Sequence, residues 1–237
     1  MRKDSCLTLV AVCGVLASAG GWAQPAAAGD GGLGERVAAI KKSLAMSQQN
    51  LRSYQWVQTT VVSLKGEEKS RKQESCYYGA DGALTKVLIA TTPPPAPKPG
   101  LRGKIAENKK AELSDTMKQA VALVQSYVPP DPLLIQKSKD AGKSSLEILQ
   151  PGKVVRLLFR DYRLPGDFLG ITLDMTTNQL LGLNVGTYLG QPSNPVTMDA
   201  RLAALADGTI YTAGIQLAVK SADISVAITN SGYVKRN

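Results

Sequence analysis

The chain has 237 residues, 43% hydrophobic and 20% charged, with a formal net charge of +9 and no histidine. Those proportions belong to a globular protein with one large domain. The lack of histidine excludes Ser-His-Asp and Cys-His catalysis, histidine-bearing zinc sites and most general-base designs at neutral pH, while aromatics at 5% and scattered argue against nucleic-acid recognition by base stacking.

Met1-Arg2-Lys3 gives a positive start, residues 6–19 an apolar stretch too short to span a bilayer, and Gly21-Trp22-Ala23 a small-x-small cleavage site. Residues 1–23 are therefore expected to be a secretory signal peptide, which implies a periplasmic or secreted protein. Cys13 follows Val12 rather than a small residue, so lipidation is not expected. Removal of Arg2, Lys3 and Asp4 takes 28 basic and 19 acidic residues to 26 and 18, a net charge of +8. An exported protein of that charge meets anionic membrane surfaces more readily than nucleic acid, or uses the charge for solubility. Cleavage also leaves Cys76 alone, which removes any intramolecular disulfide and any cysteine-rich metal site. Cys76 falls inside a predicted strand, as a small buried thiol does.

Residues 24–32 are rich in Ala and Gly and form an expected flexible linker. Gly29, Gly31 and Gly34 match the G-x-G-x-x-G spacing, but no strand feeds that turn and no βαβ units surround it, so dinucleotide binding is not expected. A helix is predicted over 33–51, where Leu33, Val37, Ile40, Leu44 and Leu51 recur near the helical period. Strands follow at 54–64, 70–78 and 84–91, joined by Gly-containing hairpin connectors at 65–68 and 79–82. Glu67, Glu68 and Glu74 alternate with Lys65, Lys69, Arg71 and Lys72, a pattern expected of a solvated hairpin.

Pro93, Pro94, Pro95, Pro97 and Pro99 form a stiff polyproline-like arm, a spacer between elements or a ligand for an aromatic groove. A second amphipathic helix is predicted from Ile105 to Tyr127, with Leu113, Met117, Ala120, Val121 and Val124 on one stripe. Pro129 and Pro130 stop it, and Asp131 followed by Pro132 starts a short helix through Lys139. The remaining strands are predicted near 144–150, 153–160, 168–175, 179–189, 196–205, 209–219 and 222–230. Leu169, Ile171, Leu173 and Met175 share one face, as do Leu181, Leu183, Val185 and Leu189, then Ile215, Leu217 and Val219, then Ile224, Val226 and Ile228. Gly182, Asn184, Gly186, Thr212, Gly214, Gln216, Ser225 and Thr229 fall on the opposite face.

The expected fold is α+β: a curved antiparallel sheet of about ten strands, a half-barrel, with a helical lid. A sheet of that width with one apolar face cannot stay flat and open, and the segments 33–51 and 105–139 are the material available to roof it. One domain spans 33–233, with 105–139 as a helical insert. No cofactor or metal site is expected. Asp161 and Asp167 flank the turn at 162–166 and could be pictured as a paired acid and base, although turn formation explains aspartates there better.

Element order, the helix-to-strand passage through Leu44, Leu51, Arg52, Ser53, Tyr54 and Trp56, and the hairpin from Cys76 through Tyr77, Tyr78, Gly79, Ala80 and Asp81 to Gly82 resemble the periplasmic lipoprotein-carrier family, the lipoprotein localisation factor superfamily. The resemblance covers nearly the whole chain after residue 23 and carries no catalytic or ligand-specific signature. It implies a non-catalytic carrier or sensor that holds acyl chains between half-barrel and lid, with a lipid or a lipoprotein as partner. If the concavity holds such a ligand, Tyr54, Trp56, Tyr77, Tyr78 and Tyr127 line its mouth while Met117, Val121 and Val124 face it from the lid; core packing is the competing role for each. The competing function is an envelope scaffold whose concavity is filled by its own side chains.

Overall fold

The computed structural model describes residues 31–92 and 101–236. The expected signal peptide, residues 24–30 of the linker, Gly29 of the glycine motif and the proline arm lie outside the described residues. The elements are α1 (Gly31–Leu51), β1 (Tyr54–Leu64), β2 (Glu67–Tyr78), β3 (Leu84–Thr91), α2 (Leu101–Gln125), α3 (Pro132–Asp140), β4 (Ser144–Gln150), β5 (Val154–Arg160), β6 (Phe168–Asp174), β7 (Gln179–Tyr188), β8 (Pro195–Ala204), β9 (Ile210–Val219) and β10 (Ile224–Lys235). All ten strands form one open antiparallel sheet in the order β3-β2-β1-β10-β9-β8-β7-β6-β5-β4. The fold is thus the α+β half-barrel with helices that the alternation predicts.

Topology explains the lid. The strands β3 and β4 are consecutive in sequence yet occupy opposite edges of the sheet, so the chain between them must cross its full width, about 43 Å along the arc at about 4.8 Å per strand. The 25-residue α2 supplies about 37 Å of that passage. It lies against the apolar face because Met117, Ala120, Val121 and Val124 can be buried nowhere else, and each is at most 8% exposed. The short α3 begins as its sequence dictates: the Asp131 side chain accepts from the Leu133 N–H at 2.9 Å and Pro132 occupies the first turn.

The inner face is the core. Leu169, Leu183, Val185, Met198, Ile215, Leu217, Val219, Val226 and Ile228 are all buried in one cluster with the α2 stripe, and Ile40 and Leu44 of α1 pack against it. On the outer face Gly186 lies under the Phe168 ring, where a Cβ would come within 2.2 Å of a ring carbon. That close approach accounts for a glycine in the middle of β7.

Three bulges and one strand's parity change four sequence expectations. A register break between Thr172 and Leu173 pairs Leu173 with Leu180, so Leu180 and not Leu181 enters the core. A second, between Arg201 and Leu202, pairs Leu202 with Thr212 and turns Thr212 inward, where the uninterrupted alternation puts it outside. A third lies where β10 passes Trp56: Gln55 pairs with Val234 but Val57 with Ser231, and Gly232 takes a positive φ of 64°. The glycine lets β10 run on to Lys235, past the expected end at 230, and brings Tyr233 rather than Val234 onto the inner face. The fourth correction is one of parity: Glu74 shares the inner face with Trp56 and Cys76, and is 7% exposed rather than part of a solvated hairpin. Its neighbours Glu67 and Glu68 are exposed as expected, paired with Lys69 and Arg71.

Candidate functional site

The side chains singled out in the sequence fall into two groups. Met117, Val121, Val124 and Tyr127 lie together under α2, from 0 to 8% exposed and in contact with the strands beneath. Tyr127 is anchored as well as buried: its hydroxyl donates to Asp167 and lies 2.8 Å from Thr187 Oγ1. Burial, reinforced by the Asp167 hydrogen bond, pushes the Tyr127 phenol well above its ordinary range. Asp167 also accepts from the backbone N–H groups of Arg163 at 3.1 Å and Leu164 at 2.8 Å, and Asp161 accepts from Gly166 N–H and from Lys143 at 2.6 Å. Both aspartates are therefore committed to the β5–β6 turn, which pins the end of the lid helix.

Tyr54 and Trp56 stand apart from that group, in an aromatic cluster beneath α1. The Trp56 and Tyr233 rings stack at 5.4 Å and 13°, Tyr78 meets Trp56 at 5.8 Å, and Tyr211 meets Tyr233 at 4.4 Å. Such pairs contribute about 0.5–1.5 kcal/mol each beyond their burial. Tyr54 sits behind Tyr233 at 6.3 Å and donates to Asp207 Oδ2 at 2.6 Å, with Lys235 Nζ at 3.5 Å from the same oxygen. The Tyr54 hydroxyl and Thr209 hold the Asp207 carboxyl well below the usual carboxylate range, and in return the Asp207 hydrogen bond raises the Tyr54 phenol.

Between α1 and this cluster is a cavity of about 40 Å³, lined by Leu44, Gln48 and Leu51 from the helix and by Trp56, Tyr211, Tyr233, Thr212 and Asn230 among others from the sheet. Its wall is mostly ring and aliphatic surface with a few uncharged polar groups, the usual make-up of a small-molecule site. Its volume is that of one or two waters, not of an acyl chain. Side-chain hydrogen bonds tie the C-terminal part of this roof to the start of β9: Ile210 N–H donates to Ser47 Oγ at 2.9 Å, and Asn50 Nδ2 donates to Thr209 Oγ1 at 3.2 Å.

A polar lane leads from the cavity floor toward the β3 edge. Asn230 Nδ2 donates to the Thr212 carbonyl at 2.8 Å and its Oδ1 accepts from Gln58 Nε2 at 3.1 Å; Gln58 Oε1 then accepts from Lys86 Nζ. Glu74 lies beside it with Lys72 at 2.6 Å and Lys86 at 3.9 Å. The sequence reading missed Gln58, Asn230, Tyr211 and Tyr233. The signal for Gln58 is its i+2 and i+4 spacing from Trp56 and Tyr54; for Tyr233 it is the Ser231-Gly232 pair inside a strand pattern, a bulge signature. Among the described residues no group of three or more metal-ligating side chains comes together.

Fold and site together define a class: open antiparallel half-barrels roofed by helices, with a buried aromatic cleft on the concave side. No family profile matches the chain. Its fold is similar to the crystal structure of a LolA superfamily protein from Nitrosomonas europaea, with 11% identity and a TM-score of 0.32 over 84% of this chain and 94% of that one. It is also similar to that of a DUF1329 family protein from Desulfovibrio piger, with 7% identity and a TM-score of 0.32 over 83% and 92% of the two chains.

Proposed function

We propose that this is an exported, non-enzymatic protein that binds an apolar ligand, a lipid or a lipidated partner, on the concave face of the half-barrel. The observation that carries the proposal is the aromatic-walled cavity between α1 and the concave face of the sheet. Because the cavity has only about 40 Å³, a ligand with an acyl chain requires α1 to swing outward, and the cleft between Leu44 and Trp56 then widens into a groove. The α2 segment, with Met117, Val121, Val124 and Tyr127, lies apart from that groove over the filled part of the sheet. Export is supported by the signal-like residues 1–23, and a role at an anionic membrane surface by the excess of basic residues.

Trp22 and Trp56 are the two tryptophans, so a Trp22→Phe chain reports on the cleft through one fluorophore. Delipidated protein titrated with the neutral apolar dye N-phenyl-1-naphthylamine should quench Trp56 by energy transfer and saturate at one site. Absence of saturable binding would sink the proposal. The competing reading, a scaffold with a filled core, is favoured by the small cavity and by the near-zero exposure beneath α2, and it expects that null result.

A further inference from the structure

An open sheet has two edges, and here they are defended unequally. On β3 the inward-pointing Lys86 and a bulge at Ile89, where Gln73 pairs with Ala90 but Glu74 with Leu88, interrupt the strand as native edges usually are interrupted. On β4 the regular stretch 144–148 carries no proline, lysine or arginine, and its bulge comes only after Ile148, at Leu149. Leu146 and Ile148 stand on the inner face, opposite Leu157 and Val155 of β5, and are 59% and 66% exposed. Two apolar rows therefore run from the core to this edge and end there uncovered: Leu183, Ile171, Leu157 and Leu146 in one, Leu180, Leu173, Val155 and Ile148 in the other. The backbone is open there too. Arg160 N–H donates to the Lys143 carbonyl at 2.9 Å, so by the alternation of an antiparallel ladder Ser145 and Glu147 also point their amides at β5, whereas Ser144, Leu146 and Ile148 point theirs outward.

This edge is complementary to itself. Two β4 strands laid antiparallel about a two-fold axis through Leu146 pair their regular residues in full, Ser144 with Ile148 and Leu146 with its own counterpart, and the outward N–H and C=O groups meet. On the inner face Leu146 then packs on Leu146. On the outer face Glu147 of the second copy falls opposite Ser145, whose hydroxyl accepts from Arg160 Nη1 at 3.3 Å. Each Glu147, 3.4 Å from its own Arg156, thereby gains the Arg160 guanidinium as a second counter-charge. An axis one residue further on, through Glu147, sets two carboxylates face to face and brings the bulge at Leu149 against Ser145. We infer that β4 is a self-association edge: two copies of the chain join antiparallel through residues 144–148, with Leu146 on the axis, and their concave faces become parts of one continuous sheet. The inference goes beyond ligand binding and does not depend on it.

A contact of five residue pairs belongs to the small, transient interfaces that bury less than about 1,200 Å². In sedimentation velocity the full chain should therefore pass from monomer to dimer as its concentration rises from about 5 to 500 µM. Amide exchange followed by NMR should slow at least threefold at Leu146 and Ile148 at the top of that range. It should stay unchanged at Ser145 and Glu147, whose N–H groups are bonded to β5 in the monomer as well. Leu146→Lys, which puts two ammonium groups on the axis, should weaken the dimer at least tenfold, and Arg160→Glu, which then faces Glu147 of the second copy, three- to tenfold. Both are compared with the wild type at matched melting profiles of the dilute protein. A chain that stays monomeric up to about 500 µM overturns the inference. So does a dimer whose Leu146 amide exchanges as fast as the monomer's, because another surface then holds it together. An Arg160→Glu dimer as tight as the wild type removes the charge match that selects a second copy in this register, and the inference fails with it.

Discussion

The sheet is roofed twice, and the two roofs are built differently. Under α2 the contact is dry and filled: Met117, Ala120 and Val124 are at most 1% exposed, and the strand residues below them, Val196, Leu217 and Val219, are at 0%. Under α1 the helix offers Ile40, Leu44 and Leu51 as partly buried side chains, closes on aromatic rings, and leaves a cavity beside a lane of hydrogen-bonded polar groups. Interdigitated aliphatic packing has one low-energy arrangement, whereas rings and a satisfied polar lane keep an interior surface that tolerates exposure. The difference makes the α2 half the filled part of the interior and the α1 half the part that keeps a cavity.

The largest expected effect tests that division directly. Leu217→Ala opens a void in the filled half and should cost about 2–5 kcal/mol in urea unfolding. Leu44→Ala trims a partly buried side chain beside an existing cavity and should cost about 1 kcal/mol. Equal costs would break the comparison, because they would mean that both helices are equally integral to the core.

A smaller effect concerns the polar lane. Glu74 is buried between Lys72 and Lys86, whose side chains keep 29% and 21% of their surface exposed. Glu74→Ala leaves two like charges beside each other, partly relieved by solvent, and should cost about 1–3 kcal/mol at low salt. Raising the salt to 1 M should recover part of that loss, since screening relieves the lysine pair. A cost independent of salt would show that Glu74 acts by packing alone.

The legibility of these two halves in the sequence also differs. The α2 half was legible because period-3.6 and period-2 patterns of aliphatic residues are physical statements about faces: Met117, Val121 and Val124 on the helix, and Leu183, Ile215 and Val226 on the strands, meet in one cluster as their spacing predicts. The α1 half was less so. Its wall depends on bulges, each of which inverts the alternation from that point on, and this is how Thr212 came inside and Tyr233 replaced Val234. Glu74 was misassigned because opposite charges in a row read as solvated, although its parity with Cys76 already put it on the inner face. Tyr54 and Trp56 could be named from their position at the opening of the sheet, but not their separation from Tyr127, which only the strand order fixes.

The smallest expected effect sharpens the comparison at the rim of the α1 half, where Tyr54 donates to Asp207. Because the folded state holds Asp207 below its ordinary carboxylate range, the group adds stability above the unfolded value of about 3.9 and loses it as the pH falls from there toward the folded pKa. Other depressed acids, Glu67, Glu68, Asp161 and Asp174, do the same throughout the protein, so the acid slope of the wild type alone says little about this site. The difference between wild type and Tyr54→Phe isolates it. Without the phenol, Asp207 keeps the Thr209 N–H at 3.0 Å and remains only partly depressed. The melting-temperature gap between the two proteins should be widest from pH 5 to 8 and should narrow as the pH falls from 4 to 2.5. It should narrow again above pH 10, because the Tyr54 phenol is raised in the folded state and its contribution disappears once it ionises. A gap that stays constant from pH 2.5 to 8 would mean that the Tyr54 hydroxyl contributes nothing through Asp207, and that the ring cluster alone holds this edge of the cleft.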